Sequence, residues 1–217
     1  MDGTKMYPVA HIGRLRMGTD GHGIRTLVAF QGCPLRCKYC INPFTWDGTR
    51  EPKLMSAREI YESILIDRPY LLATNGGITF GGGEPLMQSE AIKEFSEINV
   101  DKFSLYIETS LNVPRKNLEQ VIDVIDKYHV DIKTMDFSLY REYTGGDLQV
   151  EIDNLRYLLE KKSADDVIVR IPIIPGFNGP KEQEQAKEEL TKRGVRHFDL
   201  FKYRETGATP RARETNA

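Results

Sequence analysis

Cysteine is scarce in this 217-residue chain: there are three, at positions 33, 37 and 40. An odd number packed into one short segment is not a disulfide framework, so the chain reads as a protein of a reducing compartment. Tryptophan occurs once, at Trp46, and reads as packing. No apolar run approaches the roughly 20 residues needed to cross a bilayer. The opening Met1-Asp2-Gly3-Thr4-Lys5 has no signal-peptide pattern. Excess positive charge is also missing. Thirty Lys and Arg face 32 Asp and Glu, for a net charge of −2 and an isoelectric point near 6.1. That excludes the electrostatic footprint of a nucleic-acid binder. Low-complexity tracts, long linkers and strong repeats are absent. These absences predict one cytoplasmic domain over 1–217, a monomer with no membrane partner. Its core covers about 12–203, and 207–217 forms a polar tail.

The cysteines themselves are the most informative feature. The run Cys33-Pro34-Leu35-Arg36-Cys37-Lys38-Tyr39-Cys40 has C-x3-C-x2-C spacing. Three thiolates can hold an iron–sulfur cluster and leave one iron without a protein ligand. Such an iron can bind a small molecule, whereas a four-cysteine cluster suits electron transfer alone. Zinc with a histidine as fourth ligand is the alternative. The available histidines are His11, His22, His129 and His197, and none follows the cysteines at finger-like or ribbon-like spacing.

Around this motif, short strand-like and helix-like segments alternate. Strands are expected at Arg25–Gln31, Gly77–Phe80, Phe103–Glu108, His129–Lys133, Asp166–Ile173 and His197–Tyr203, each rich in β-branched or aromatic residues. Their near-continuous apolar character suits parallel strands covered on both faces. Ser56-Ala57-Arg58-Glu59 reads as a capping box, opening a helix with Ile60, Ile64 and Leu65 facing inward. Leu118, Val121, Ile122 and Ile125 recur at helical spacing, as do Leu155, Leu158 and Leu159. A further helix is expected from Pro180 through Leu190, ending near Gly194. Six such repeats imply a parallel α/β architecture, doubly wound or barrel-like, with chemistry at the C-terminal strand ends.

The unusual residues all fall on that rim. The cysteines follow the first expected strand and Gly81-Gly82-Gly83-Glu84 the second. Glu108-Thr109-Ser110 end the third, and Asp131 with Lys133 the fourth. Ile174-Pro175-Gly176 follow the fifth and Arg204-Glu205 the sixth. The glycines let a backbone approach a ligand closely, or simply make a tight turn. Asp131 and Lys133 stand in an apolar strand, where burying them unpaired is costly. Glu108 and Thr109 suit a hard cation or a ligand amine, or a structural ion pair.

Taken in order, these motifs resemble the radical S-adenosylmethionine enzymes, and among them the glycyl-radical-enzyme activases, the pyruvate formate-lyase activases in particular. The resemblance runs from about Ile12 to Tyr203. Asp20-Gly21-His22-Gly23-Ile24-Arg25 is similar to that family's D-G-P-G-I-R loop. Phe30-Gln31-Gly32, Tyr39, Asn42, Thr45-Trp46-Asp47, Gly82-Gly83-Glu84, Glu108-Thr109, Asp131-Ile132-Lys133 and Pro175-Gly176 follow in family order.

What the resemblance implies is a partial (β/α)6 TIM-like barrel, open on one side. It implies a [4Fe-4S] cluster on Cys33, Cys37 and Cys40, with S-adenosylmethionine chelating the open iron. Gly82, Gly83 and Glu84 would receive the methionine amino group, and Lys133 would neutralise the carboxylate. Ile174 would pack on the adenine near the Tyr39 backbone, and Asn42, Asp131 and Arg204 complete the implied cofactor contacts. Glu108, Thr109 and Asp131 resemble ligands of a monovalent cation. Asp20, His22 and Arg25 fall in the implied substrate loop. The implied reaction is reductive cleavage of S-adenosylmethionine and hydrogen abstraction from a glycine of a partner glycyl radical enzyme. With no ferredoxin-like insert, the electron would come from a flavodoxin or ferredoxin under anaerobic conditions.

Four departures from the family pattern are visible. They are Ile41 within Cys40-Ile41-Asn42, Glu108-Thr109-Ser110-Leu111 in place of D-T-N-G, His22 in place of proline, and Arg204 where a histidine is expected. They keep in view a radical enzyme acting on a peptide or small molecule; a third reading is a non-enzyme, a cluster-binding sensor or zinc-stabilised module.

Overall fold

The structure is a computed structural model, and it describes residues 4–203. Eight strands form one sheet in the order β3-β1-β2-β4-β5-β6-β7-β8. Six run parallel: β2 (Ile24–Phe30), β4 (Gly77–Gly82), β5 (Ser104–Thr109), β6 (Lys127–Asp131), β7 (Val167–Ile173) and β8 (His197–Lys202). These are the six expected strands, with ends shifted by up to two residues. The sheet does not close on itself, so the open (β/α)6 architecture is borne out.

Two strands escape the sequence pattern. β1 (Tyr7–Met17) lies antiparallel to β2, and β3 (Lys53–Met55) antiparallel to β1. Ordered structure thus begins before Ile12. The pairing of β1 with β2 slips between Gly13 and Arg16, where Leu15 takes a left-handed φ of 52°. That irregularity is a bulge-like device of the kind that bends an outer strand.

The capping box at Ser56 is present: Glu59 N–H donates to the Ser56 hydroxyl, and Ser56 N–H to the Glu59 carboxylate. It opens α1 (Ala57–Ile64), which buries Ile60, Tyr61 and Ile64. Leu65 does not join them; the helix ends at Ile64 and Leu65 is exposed. α2 (Arg68–Ala73) and α3 (Ser89–Ile98) follow. Leu118, Val121, Ile122 and Ile125 are all buried, but α4 (Arg115–Glu119) is one short turn and the rest packs as irregular backbone. α5 (Phe137–Thr144), α6 (Leu148–Lys161) and α7 (Pro180–Lys192) complete the layer.

A main apolar core joins the outward-facing strand residues, among them Phe80, Leu105, Ile107, Val130 and Val169, to the helices, and Tyr140, Leu148 and Ile152 of α5 and α6 form a smaller cluster beside it. The inner face carries different chemistry. Along β5, β6 and β7 it presents Tyr106 and Glu108, His129 and Asp131, Arg170 and Pro172. The period-2 alternation of side chains across a strand separates these two sets. It thereby concentrates charge inside the open barrel.

Candidate active site

At the C-terminal ends of the parallel strands lies a cavity of about 430 Å³. Its walls include Cys33, Cys37 and Cys40, Tyr39, Asn42, Gly82 to Glu84, Glu108, Thr109, Asp131, Lys133 and Ile174. Every expected cofactor contact among the described residues is therefore brought to one place. Arg204 lies outside them, as do Glu205 and the tail.

The cysteine loop leaves β2 and is fixed by main-chain hydrogen bonds. Gly32 N–H donates to Thr45 O at 2.7 Å, Arg36 N–H to Thr144 O at 2.7 Å and Lys38 N–H to Tyr143 O at 3.0 Å. The Arg36 side chain folds back on the loop, donating to Cys33 O at 2.5 Å and Leu35 O at 2.8 Å. Its guanidinium lies over the Trp46 ring, 4.9 Å from the centroid. Trp46 is more than packing, because its indole N–H donates to Cys40 Sγ at 3.4 Å.

Burial pushes the Cys33 thiol up to about 12, with the nearby Glu84, Cys37 and Cys40 charges adding to the shift. Burial also raises Cys37 to about 11 against the pull of Lys133. Three thiols facing one cavity, with Cys33 and Cys37 held protonated by burial, suit a cationic centre, which deprotonates coordinating thiols outright. Among the described residues, no three His, Cys, Asp or Glu side chains converge as a single-ion site. A cluster spreads its ligands more widely than one ion does. The donor set therefore fits an iron–sulfur cluster better than zinc.

Next to the loop, the glycines end β4. Glu84 N–H donates to Gly32 O at 2.8 Å, and Gly83 N–H to Phe30 O at 3.1 Å. A Cβ on Gly83 would sit 2.0 Å from Gly32 O. Gly82 has φ +102°, and a Cβ there would meet Ala29 at 2.7 Å. Only glycine allows this approach. The Glu84 carboxylate is engaged within the chain. It accepts from Thr109 Oγ at 2.6 Å, Ser110 N–H at 2.8 Å and Ser110 Oγ at 2.7 Å. Burial raises this carboxyl, and those hydrogen bonds oppose the shift.

Lys133 follows β6 and pairs with Asp131, Nζ to Oδ2 at 3.2 Å. Burial would lower Lys133, but the Asp131 and Cys37 charges hold it above its ordinary value. Burial likewise works against Asp131, yet Arg170 and Lys133 keep its carboxyl well below the usual range. Arg170 was not foreseen. It donates to Asp131 Oδ1 from Nε at 2.6 Å and to Glu108 Oε1 from Nη1 at 2.8 Å. The signal was available: it is a lone charge inside the apolar run Val167–Ile173.

The substrate-loop candidates separate. Asp20 lines the cavity and pairs with Arg16. His22 lines a second hollow beneath the Arg170 layer. Arg25 is wholly buried. Its guanidinium donates to Thr79 Oγ at 2.6 Å, Ile78 O at 2.6 Å and Ser104 O at 2.9 Å, and stacks 3.6 Å over Tyr106. Burial lowers it to about 10, so it remains a cation. Arg25 is therefore a strut under the loop and has no freedom to meet a substrate.

An open parallel α/β sheet with three clustered thiols beside a glycine edge and a half-buried lysine defines a class: enzymes that hold an iron–sulfur cluster and a small charged cofactor together. The comparisons make the class specific. The profile of the Radical SAM superfamily matches residues 27–187, and the chain belongs to that superfamily. The Clostridium pasteurianum pyruvate formate-lyase-activating enzyme is 32% identical over 192 residues, covering 87% of this chain and 79% of that one. The Escherichia coli K12 pyruvate formate-lyase 1-activating enzyme is 28% identical over 193 residues, covering 87% and 77%. Among solved structures, Streptococcus suis SuiB superposes with a TM-score of 0.60 at 22% identity. That match covers 82% of this chain and 39% of SuiB, and supports the fold. The cofactors of the superfamily are a [4Fe-4S] cluster and S-adenosylmethionine.

Proposed function

We propose that this protein is a glycyl-radical-enzyme activase. It takes one electron and S-adenosylmethionine and leaves a radical on a glycine of a partner enzyme. The observation that carries the reading is the single cavity joining the three thiols, the Gly82–Gly83 backbone and the Asp131–Lys133 pair. The relatives named as pyruvate formate-lyase activases, matched over most of their length, supply the partner class.

When bound, the cluster and S-adenosylmethionine would supply one-electron cleavage of a sulfonium C–S bond, and with it the capacity to take one hydrogen atom from a glycine Cα, with methionine and 5′-deoxyadenosine as products. The chain's own residues do the rest. Cys33, Cys37 and Cys40 would hold three irons. Lys133 would meet the methionine carboxylate through a charge-assisted hydrogen bond. The backbone of Gly82 and Gly83 would take the amino group. Tyr39, edge-on to Phe177 at 5.9 Å and to Tyr203 at 5.8 Å, walls the adenine side with Ile174 and keeps water out. The unclosed side of the sheet admits a protein loop past Asp20 and Arg16. A flavodoxin or ferredoxin delivers the electron to a monomeric, cytoplasmic enzyme.

The test is anaerobic incubation of reconstituted protein with S-adenosylmethionine, a reductant and a co-encoded glycyl radical enzyme. A glycyl radical signal with one 5′-deoxyadenosine per radical is expected. Cleavage of S-adenosylmethionine with no radical on any such partner would sink the activase reading and favour a peptide or small-molecule substrate.

A further inference from the structure

The residues do not fit one implied group, the monovalent cation expected on Glu108, Thr109 and Asp131. A cation there competes for oxygens with the chain's own groups, since each of the three expected residues already has a partner. The Thr109 hydroxyl donates to Glu84 and accepts from Leu111 N–H at 2.9 Å. Glu108 and Asp131 both meet the Arg170 guanidinium, at 2.8 and 2.6 Å. The second Asp131 oxygen faces Lys133. Two carboxylates are thus matched by two cations of the chain itself. Adding a third cation would place like charges together where partial burial weakens screening.

The topology explains how one side chain does this. Arg170 on β7 lies directly opposite Asp131 on β6. Glu108 stands one strand further, on β5, opposite His129. The guanidinium is a rigid fork that can engage two carboxylates at once. Glu108 is one methylene longer than the aspartate of the family pattern, which extends its reach across β6.

We propose that Arg170 stands in for the alkali cation in this protein. It is a positioning residue that holds Asp131, and through it Lys133, for the S-adenosylmethionine carboxylate. S-adenosylmethionine binding is accordingly independent of sodium and potassium. This rests on the cofactor reading of the cavity and not on the identity of the hydrogen donor.

The experiment titrates S-adenosylmethionine into reconstituted, reduced protein and follows the cluster's electron paramagnetic resonance signal. Choline chloride is compared with sodium or potassium chloride at equal ionic strength. For the wild type, affinities within about twofold are expected; tightening by alkali ions of about tenfold or more, a usual size for coupled ligands, would overturn the proposal. Arg170→Met should bind roughly tenfold or more weakly in choline and recover most of that loss in potassium or sodium, since removing the guanidinium leaves Glu108 and one Asp131 oxygen without their cation while Lys133 remains on the other. Equal weakness in all salts would mean a purely structural role and would also overturn it. Sodium-23 relaxation on the wild type gives a measurement that needs no variant. No broadening on adding S-adenosylmethionine is expected, and a bound sodium ion would refute the proposal. Normal S-adenosylmethionine binding without a glycyl radical would count against the activase reading and leave this inference standing.

Discussion

Replacing Trp46 by phenylalanine isolates a single interaction at the cysteine loop, the indole N–H donated to Cys40 Sγ at 3.4 Å. Phenylalanine keeps an aromatic face beneath Arg36. Arg36 stays in place, because Cys33 O and Leu35 O hold its guanidinium independently of the ring. The donor is therefore lost with little else moved. A hydrogen bond to a cluster sulfur favours the reduced, more negative state, so its loss drives the potential down. If the bond contributes about 1 kcal/mol more to the reduced than to the oxidised state, the shift follows from the one-electron relation of about 59 mV per tenfold change. A 1 kcal/mol difference then corresponds to roughly 40 mV, within a span of about 20 to 60 mV for typical hydrogen bonds. The assay is a potentiometric titration of anaerobically reconstituted wild type and Trp46→Phe, read by electron paramagnetic resonance. A potential unchanged within about 10 mV, or one that rises, would refute the reasoning.

Cys37→Ala should lose both the cluster absorbance and S-adenosylmethionine cleavage, checked by iron content and product analysis. Lys133→Ala should keep its cluster but bind S-adenosylmethionine about 10- to 100-fold more weakly, the usual value of a hydrogen bond to a charged group; unchanged binding would remove Lys133 from the site. Asn154 is buried and its amide donates to Leu111 O and Val113 O, both at 2.8 Å. Asn154→Ala should therefore cost about 2 to 4 kcal/mol by urea unfolding, from two orphaned carbonyls. Glu151 is wholly buried on α6, and burial raises its carboxyl well above the ordinary value. A raised folded-state pKa contributes stability that is full below the unfolded value of about 4.3 and is lost as pH rises through the folded value. Glu151→Gln should thus gain on the wild type at pH 8 relative to pH 5; parallel denaturation profiles at the two pH values would contradict this.

The parallel strands were legible because β4, β5, β6 and β7 are apolar on their outer face and border recognisable turns. Their inner face was only partly legible. Asp131 and Lys133 stood out, yet the partner that decides their role, Arg170, sits 37 residues beyond Lys133 and is joined to them only by strand register. β1 was illegible for a different reason. It runs at the antiparallel side of the sheet, with Pro8, His11, Gly13, Arg14 and Arg16 among its residues and much of one face exposed. A search for buried parallel strands passes over such a segment. The helical spacing of Leu118 to Ile125 correctly marked buried positions but not a continuous helix, since burial alone does not supply the main-chain pattern. Arg25 was misplaced because a motif arginine reads as a ligand contact. Nothing in its sequence position reveals that Thr79, Ser104 and Tyr106 enclose it.

The cysteine loop is held by its neighbours' backbone, Thr45 on one side and Tyr143 with Thr144 on the other. Each is a main-chain bond, which no side-chain substitution other than proline removes. The loop's side chains can therefore vary while its path, and with it the placing of the three thiols, stays fixed.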